Sequence, residues 1–342
     1  MEKRMRFKAK NLISIAVILL TLAVVLFIGI RSGDFPASMR ALFNMPPIYA
    51  LAGVGCVFGG ILMQTVSGQL ALQKLNRRMS FTRLYAIMVL GEFYAFITPG
   101  ASGGQPMQVF EFHRHGLPAG ETMAALTQHF QCFQITLLIL DVCLCVAQRD
   151  FLQAQLGANW PLLAIGFAFN AVQVCISLMI AFYQRPVRFL VQKGTALLRR
   201  LRVGNPDKLE RLADGVADGY FSSMRALYAD KRHLAAQFAC AVARLVLMMS
   251  VTAFVYRGLG LSEVGYGKLF ALGCMQYTSA AYTPLPGASG AQEGVFSLYF
   301  AGLLPGSLRL SGLLCWRFMT YYLVLIVGFF VTAALFNDTK LD

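Results

Sequence analysis

The chain has 342 residues, of which 57% are hydrophobic and only 13% charged, and its formal net charge is +14. A soluble globular domain is about 45–50% apolar and about 25% charged, so this composition excludes one and points to a polytopic membrane protein. Alternating segments of about ten residues, the mark of a membrane β-barrel, do not occur, and the positive charge lies mostly in short loops, which sets nucleic-acid binding aside in favour of topology and contact with anionic lipid.

Lys3, Arg4, Arg6, Lys8 and Lys10 precede an apolar run over 12–30. That run is long enough to span and no clean cleavage site follows it, so it reads as a retained first helix with a cytoplasmic N-terminus. A second helix is predicted over 46–70, with Pro46 and Pro47 suited to its first turn. Lys74, Arg77, Arg78 and Arg83 then mark a cytoplasmic loop under the positive-inside rule. The apolar run over 84–97 is too short for a span, which takes about 20 residues. It ends in Thr98, Pro99, Gly100, Ala101, Ser102, Gly103, Gly104 and Gln105. Proline removes a backbone donor and glycine and serine disfavour helix, so this stretch breaks a helix at membrane depth.

A span is predicted over 119–147, carrying the polar residues Gln128, His129, Gln131, Gln134 and Asp141. An external loop over 148–158 and a helix over 160–183 follow. Residues 184–233 form a basic cytoplasmic insertion, with an amphipathic helix around 187–201 lying on the inner leaflet and a second helix from Asp207. A span over 234–257 contains Arg244. The run over 269–282 meets a second break, Thr283, Pro284, Leu285, Pro286, Gly287, Ala288, Ser289, Gly290, Ala291, Gln292 and Glu293. A last span over 310–336 contains Arg317, and the tail is placed in the cytoplasm. The fold expected is therefore all-α and polytopic: about six spanning helices plus two broken re-entrant hairpins. Residues 11–148 and 159–336 would form inverted-topology repeats within a single membrane domain over 1–342.

Both breaks hold Pro-Gly-Ala-Ser-Gly, then Gln, then Val-Phe. In hydrocarbon a broken helix is tolerated only where protein or a polar cavity surrounds it, and paired breaks in two halves point to a transport site. Free amides and helix-dipole ends at a break suit an anion such as phosphate. The candidate substrate-binding residues are Gly100, Ser102, Gly103, Gly104, Gln105, Gly287, Ser289, Gly290, Gln292 and Glu293, with Arg244, Arg317 and Glu92. The competing reading is structural. The glycines then serve tight packing, Arg317 pairs Glu293, and Arg244 pairs Asp141 or Glu92.

Catalysis is not indicated. GxxxxGK[ST] and HExxH motifs do not occur, and neither Ser102, within Gly100-Ala101-Ser102-Gly103-Gly104, nor Ser289 has a neighbouring histidine to act as base. The eight cysteines lie in apolar segments without a CxxC pair, and His113 and His115 read as a loop rather than a metal site. No cofactor or metal is assigned.

The two motifs and their separation resemble the transmembrane region of lysylphosphatidylglycerol synthase, the flippase-like part of the bacterial multiple peptide resistance factor. The resemblance covers nearly the whole chain. It implies a bacterial plasma-membrane protein that moves an anionic or lysylated phosphatidylglycerol between leaflets and contributes to resistance against cationic peptides. In that family a separate C-terminal domain makes the lipid from lysyl-tRNA, and with the last predicted helix running up to the end of the sequence at Asp342, such a domain is expected to be absent. The alternatives carried are a phosphatidylglycerol lysyltransferase, as the family name has it, or a transporter of another lipid carrier or ion. A soluble lysyltransferase partner and a homodimer are left open.

Overall fold

A computed structural model describes residues 40, 43–185, 189, 193 and 206–338. The expected first span over 12–30 and the amphipathic stretch around 187–201 fall outside the described residues, apart from two isolated positions in the latter. The described elements are helical throughout. Among the described residues, five stretches are long and apolar enough to cross a membrane: Pro47–Lys74, Ala119–Ala147, Arg149–Phe182, Lys231–Gly258 and Gly306–Phe336. The chain is a polytopic helical membrane protein.

In chain order the helices are α1 (Pro47–Lys74), α2 (Phe81–Ile97), α3 (Gly104–Arg114), α4 (Ala119–Ala147), α5 (Arg149–Leu156) and α6 (Trp160–Phe182). They continue with α7 (Pro206–Ala229), α8 (Lys231–Gly258), α9 (Tyr266–Ala280), α10 (Ala291–Tyr299), α11 (Gly306–Arg317) and α12 (Leu323–Asp338). Helix α8 is the central member and packs on α1, α4, α9 and α11. Its start is set by Asp230, whose carboxylate caps the amides of Arg232 and His233 at 2.9 and 3.1 Å. The same carboxylate receives Lys74 at 2.6 Å, so the end of α1 and the start of α8 share one end of the bundle. Arg77 reaches Glu121 at 2.6 Å and brings the start of α4 to that same end.

The stretch over 148–158, expected as a loop, is instead the helix α5 followed by a 3₁₀ turn at Gly157–Asn159. Leu152 and Leu156, four residues apart on one face, are fully buried and hold it against the bundle. Helix α7 lies within the basic insertion and packs on α4 through Ala217, Tyr220, Phe221, Met224 and Leu227.

Each break joins two short helices. Helices α2 and α3 start and finish near the Lys74 end: Leu84, Phe112 and Leu117 share one core cluster there. Helices α9 and α10 have their outer ends at the opposite end, where Gln155 of α5 donates to the Tyr299 carbonyl at 2.8 Å. The breaks meet each other, where the Gly100 amide donates to the Pro284 carbonyl at 2.9 Å.

Candidate functional site

The two breaks repeat one backbone conformation. Gly100 has φ 58° and ψ 27°, and Gly287 has φ 58° and ψ 23°. The next residue in each, Ala101 or Ala288, is also left-handed, at φ 55° and 48°. Such a residue costs an L-amino acid roughly 1–2 kcal/mol, so the surrounding structure has to hold the turn. At the first break Thr98 does this: its hydroxyl donates to the Tyr94 carbonyl at 2.6 Å and accepts from the Gly103 amide at 2.8 Å.

The second break is held by Arg317. Its guanidinium donates to Glu293 at 2.6 Å and to the Gly287 carbonyl at 3.0 Å, and stands 4.4 Å from the Tyr321 ring. Glu293 in turn accepts from the Gly290 amide at 2.7 Å. A π-helical turn over Phe318–Tyr322 follows Arg317 within the last span. Such a turn re-aims side chains in mid-helix, and here both Arg317 and Tyr321 reach the break. Glycine at 287 is required twice over, by its positive φ and because a Cβ would fall 2.1 Å from the Tyr321 ring.

Among the described residues, no arginine plugs the first break in this way. This break borders an open cleft of about 600 Å³ lined by Gly100, Ser102, Gly104, Gln105, Glu92 and Arg244. The cleft lies between α3 and α6, with α4 as its floor. Gly103 lies in the same break but does not line the cleft. Gly287, Ser289, Gly290, Gln292, Glu293 and Arg317 also lie outside it. The amides of Gly100, Ala101, Ser102 and Gly103 are all engaged within the protein, so the break is not a cradle of free donors. Gly104 and Gln105 open α3, where the first amides have no acceptor within the helix.

Arg244 is the charged centre of the cleft. It pairs with Glu92 at 2.6 Å, not with Asp141, and its guanidinium lies 4.9 Å from the Phe133 ring. Its second terminal nitrogen donates to His129 Nε2 at 2.8 Å. Arginine cannot accept, so His129 is the neutral tautomer with its proton on Nδ1, facing Ser67 Oγ at 2.9 Å. Ser67 then bonds Gln237. The third guanidinium nitrogen, Arg244 Nε, is buried and has no partner among the described residues.

Polar groups missing from the sequence-based candidates complete the wall. Gln134 donates to Asn170 at 2.8 Å and to Gln173 at 3.2 Å, and Gln131 donates to Ser177 at 2.9 Å. Asn170, Gln173 and Ser177 fall at i, i+3 and i+7 on an otherwise apolar helix, a polar stripe that could have identified this face of α6. Tyr220 of α7 also lines the cleft, so the basic insertion contributes to it.

A family model for the lysylphosphatidylglycerol synthase TM region matches residues 11–328. The chain belongs to this family. The match to the lysylphosphatidylglycerol synthase TM region takes in both breaks, both buried arginines and the run over 12–30. No curated protein matches the chain.

Proposed function

We propose that this protein moves phospholipids with anionic or aminoacylated headgroups, lysyl-phosphatidylglycerol among them, between the leaflets of a bacterial plasma membrane. The observation that carries the reading is Arg244. It lines a cleft large enough for a headgroup, with its guanidinium beside Glu92. A guanidinium is suited to a phosphate oxygen pair, and a bound phosphate would share the terminal nitrogens of Arg244 with Glu92 and His129. Glu92 beside it offers a carboxylate to a headgroup ammonium. The cleft walls also carry Phe130, Ile176 and Ile180, apolar surface suited to the start of the acyl chains.

In this reading the two broken units are re-entrant hairpins of inverted repeats, and the cleft is one of two alternating openings. Lys74, Arg77 and Arg78 support a cytoplasmic position for their end of the bundle under the positive-inside rule. Removal of lysylated lipid from the inner leaflet would make the outer surface less negative and lower its affinity for cationic peptides.

The test is leaflet exposure of labelled phosphatidylglycerol and lysyl-phosphatidylglycerol in vesicles holding the purified protein. Wild type is expected to accelerate exposure over protein-free vesicles, and Arg244→Gln to abolish the gain. Glu92→Gln should favour phosphatidylglycerol and penalise the lysylated lipid. No acceleration for either lipid would reject the proposal.

A further inference from the structure

Buried carboxylates in this bundle come with arginines. The buried Glu111 and Glu293 and the half-buried Glu92 are bonded to Arg114, Arg317 and Arg244 at 2.8, 2.6 and 2.6 Å. Asp141 of α4 is the exception. It is 1% exposed, its Oδ2 accepts from Thr278 Oγ1 at 2.6 Å, and its Oδ1 has no partner among the described residues.

The titratable groups that face Asp141 are thiols, Cys145 on its own helix and Cys274 on α9. Among the described residues, no basic group from an element packed on α4 engages it. Arg244 and His129 are bonded to each other at the cleft, and Lys268 lies 5.3 Å from the Phe151 ring. An isolated carboxylate is too costly to keep ionised in such surroundings and takes up a proton instead. Ionisable residues of this kind inside membrane helices are characteristic of proton relays.

Its place in the fold gives the proton a use. Thr127, Gln134 and Asp141 recur every seven residues on α4, and the first two line the cleft. Asp141 therefore lies about 10 Å beyond Gln134 along the same stripe. Its partner Thr278 follows Tyr277, which also lines the cleft. On the other side α6 presses on the same point: a Cβ on Gly166 would stand 2.2 Å from the Thr278 carbonyl. Asp141 thus sits in the packed layer of α4, α6 and α9 that closes the cleft on that side.

We propose that Asp141 is a proton-binding residue that couples lipid movement to a pH difference across the membrane. It holds a proton while the α4–α9 layer is packed. When that layer parts and water enters, the acid O–H breaks, the proton passes to water, and the carboxylate stays hydrated until it is reprotonated. The inference rests on the translocase reading, and two readouts keep the failures apart.

The first readout needs no transport. Infrared spectra of purified protein at neutral pH should show a carboxylic-acid C=O band that Asp141→Asn removes and Thr278→Val, which keeps the acid and deletes its donor, shifts. A spectrum that neither substitution alters overturns the proposal, and Thr278→Val decides it where Asp141→Asn does not fold. The second readout is lipid exposure in vesicles with an imposed pH difference. One proton per lipid lets a unit of pH shift the equilibrium by up to about tenfold, so the wild-type rate should follow the gradient. In Asp141→Asn the ratio of rates with and without the gradient should fall to about one. An unchanged ratio overturns the proposal. No exposure by wild type under any gradient would instead fault the translocase reading and leave the infrared result to stand.

Discussion

Arg317 and Arg244 look alike in the sequence, yet the structure gives them different work, and Arg317→Met exposes the difference. Arg317 is 5% exposed and bridges Glu293, the Gly287 carbonyl and the Tyr321 ring. With charge centres about 4 Å apart and an effective dielectric of about 20, the ion pair is worth about 4 kcal/mol before desolvation. Removing one partner strands the other as a buried charge, which costs roughly 3–5 kcal/mol. Arg317→Met should therefore destabilise by about that much. Glu293→Gln in the same chain should recover about 2 kcal/mol, because the lone carboxylate is gone. The assay is unfolding of the four variants of this cycle in bicelles, read as free energy. A loss below about 1 kcal/mol, the value of an exposed pair, would refute the reasoning. So would a double variant whose loss equals the sum of the singles.

Three further outcomes follow from particular contacts. Gly287→Ala forces a Cβ into the Tyr321 ring at a left-handed residue and should lower the melting temperature sharply, with partial recovery in Gly287→Ala/Tyr321→Ala; an unchanged melt would count against the packing described. The Asp230 carboxyl is held at about 2, below its ordinary 3.8, first by the hydrogen bond from Lys74 and then by backbone amides of α8. A depressed folded value stabilises above the ordinary one, so this contribution is complete above pH about 4 and lost as pH falls towards 2. Melting temperature against pH should show that fall in wild type and a shallower one in Asp230→Asn. Gly166→Ala should push α6 off the Thr278 carbonyl and make buried Cys274 reactive to maleimide, scored by peptide mass spectrometry; a Cys274 as protected as in wild type would show that the layer does not open there.

The breaks were legible because the same five residues recur and each demands non-helical backbone. The structure gives Gly100 and Gly287 φ values of 58° in both cases. What the repeat could not show is that the breaks touch, through Gly100 and Pro284, since that contact depends on how two units from opposite ends are packed. The pairing of Arg317 with Glu293 was legible and is present, while for Arg244 the sequence left Glu92 and Asp141 both open. Helical spacing says which face Arg244 is on, while its choice of Glu92 over Asp141 depends on how α2 and α9 pack beside α8 and α4. Helix α5 was missed because Arg149, Asp150, Gln153 and Gln155 make the stretch look like a loop, although Leu152 and Leu156 already marked a buried face. The polar wall of α6 was missed because its mean apolarity hides a stripe of only Asn170, Gln173 and Ser177.

The central claim is that a phospholipid headgroup enters the cleft beside the first break and not the sealed second one. The most direct measurement is photo-crosslinking in vesicles with phosphatidylglycerol carrying a photoactivatable group on its headgroup, followed by peptide mapping. Adducts are predicted on Gln105, Gln173 and Ser177, which line the cleft, and should be lost with Arg244→Gln but retained in Arg317→Met molecules that fold. Adducts confined to α10 and α11, or equally abundant without Arg244, would contradict the account.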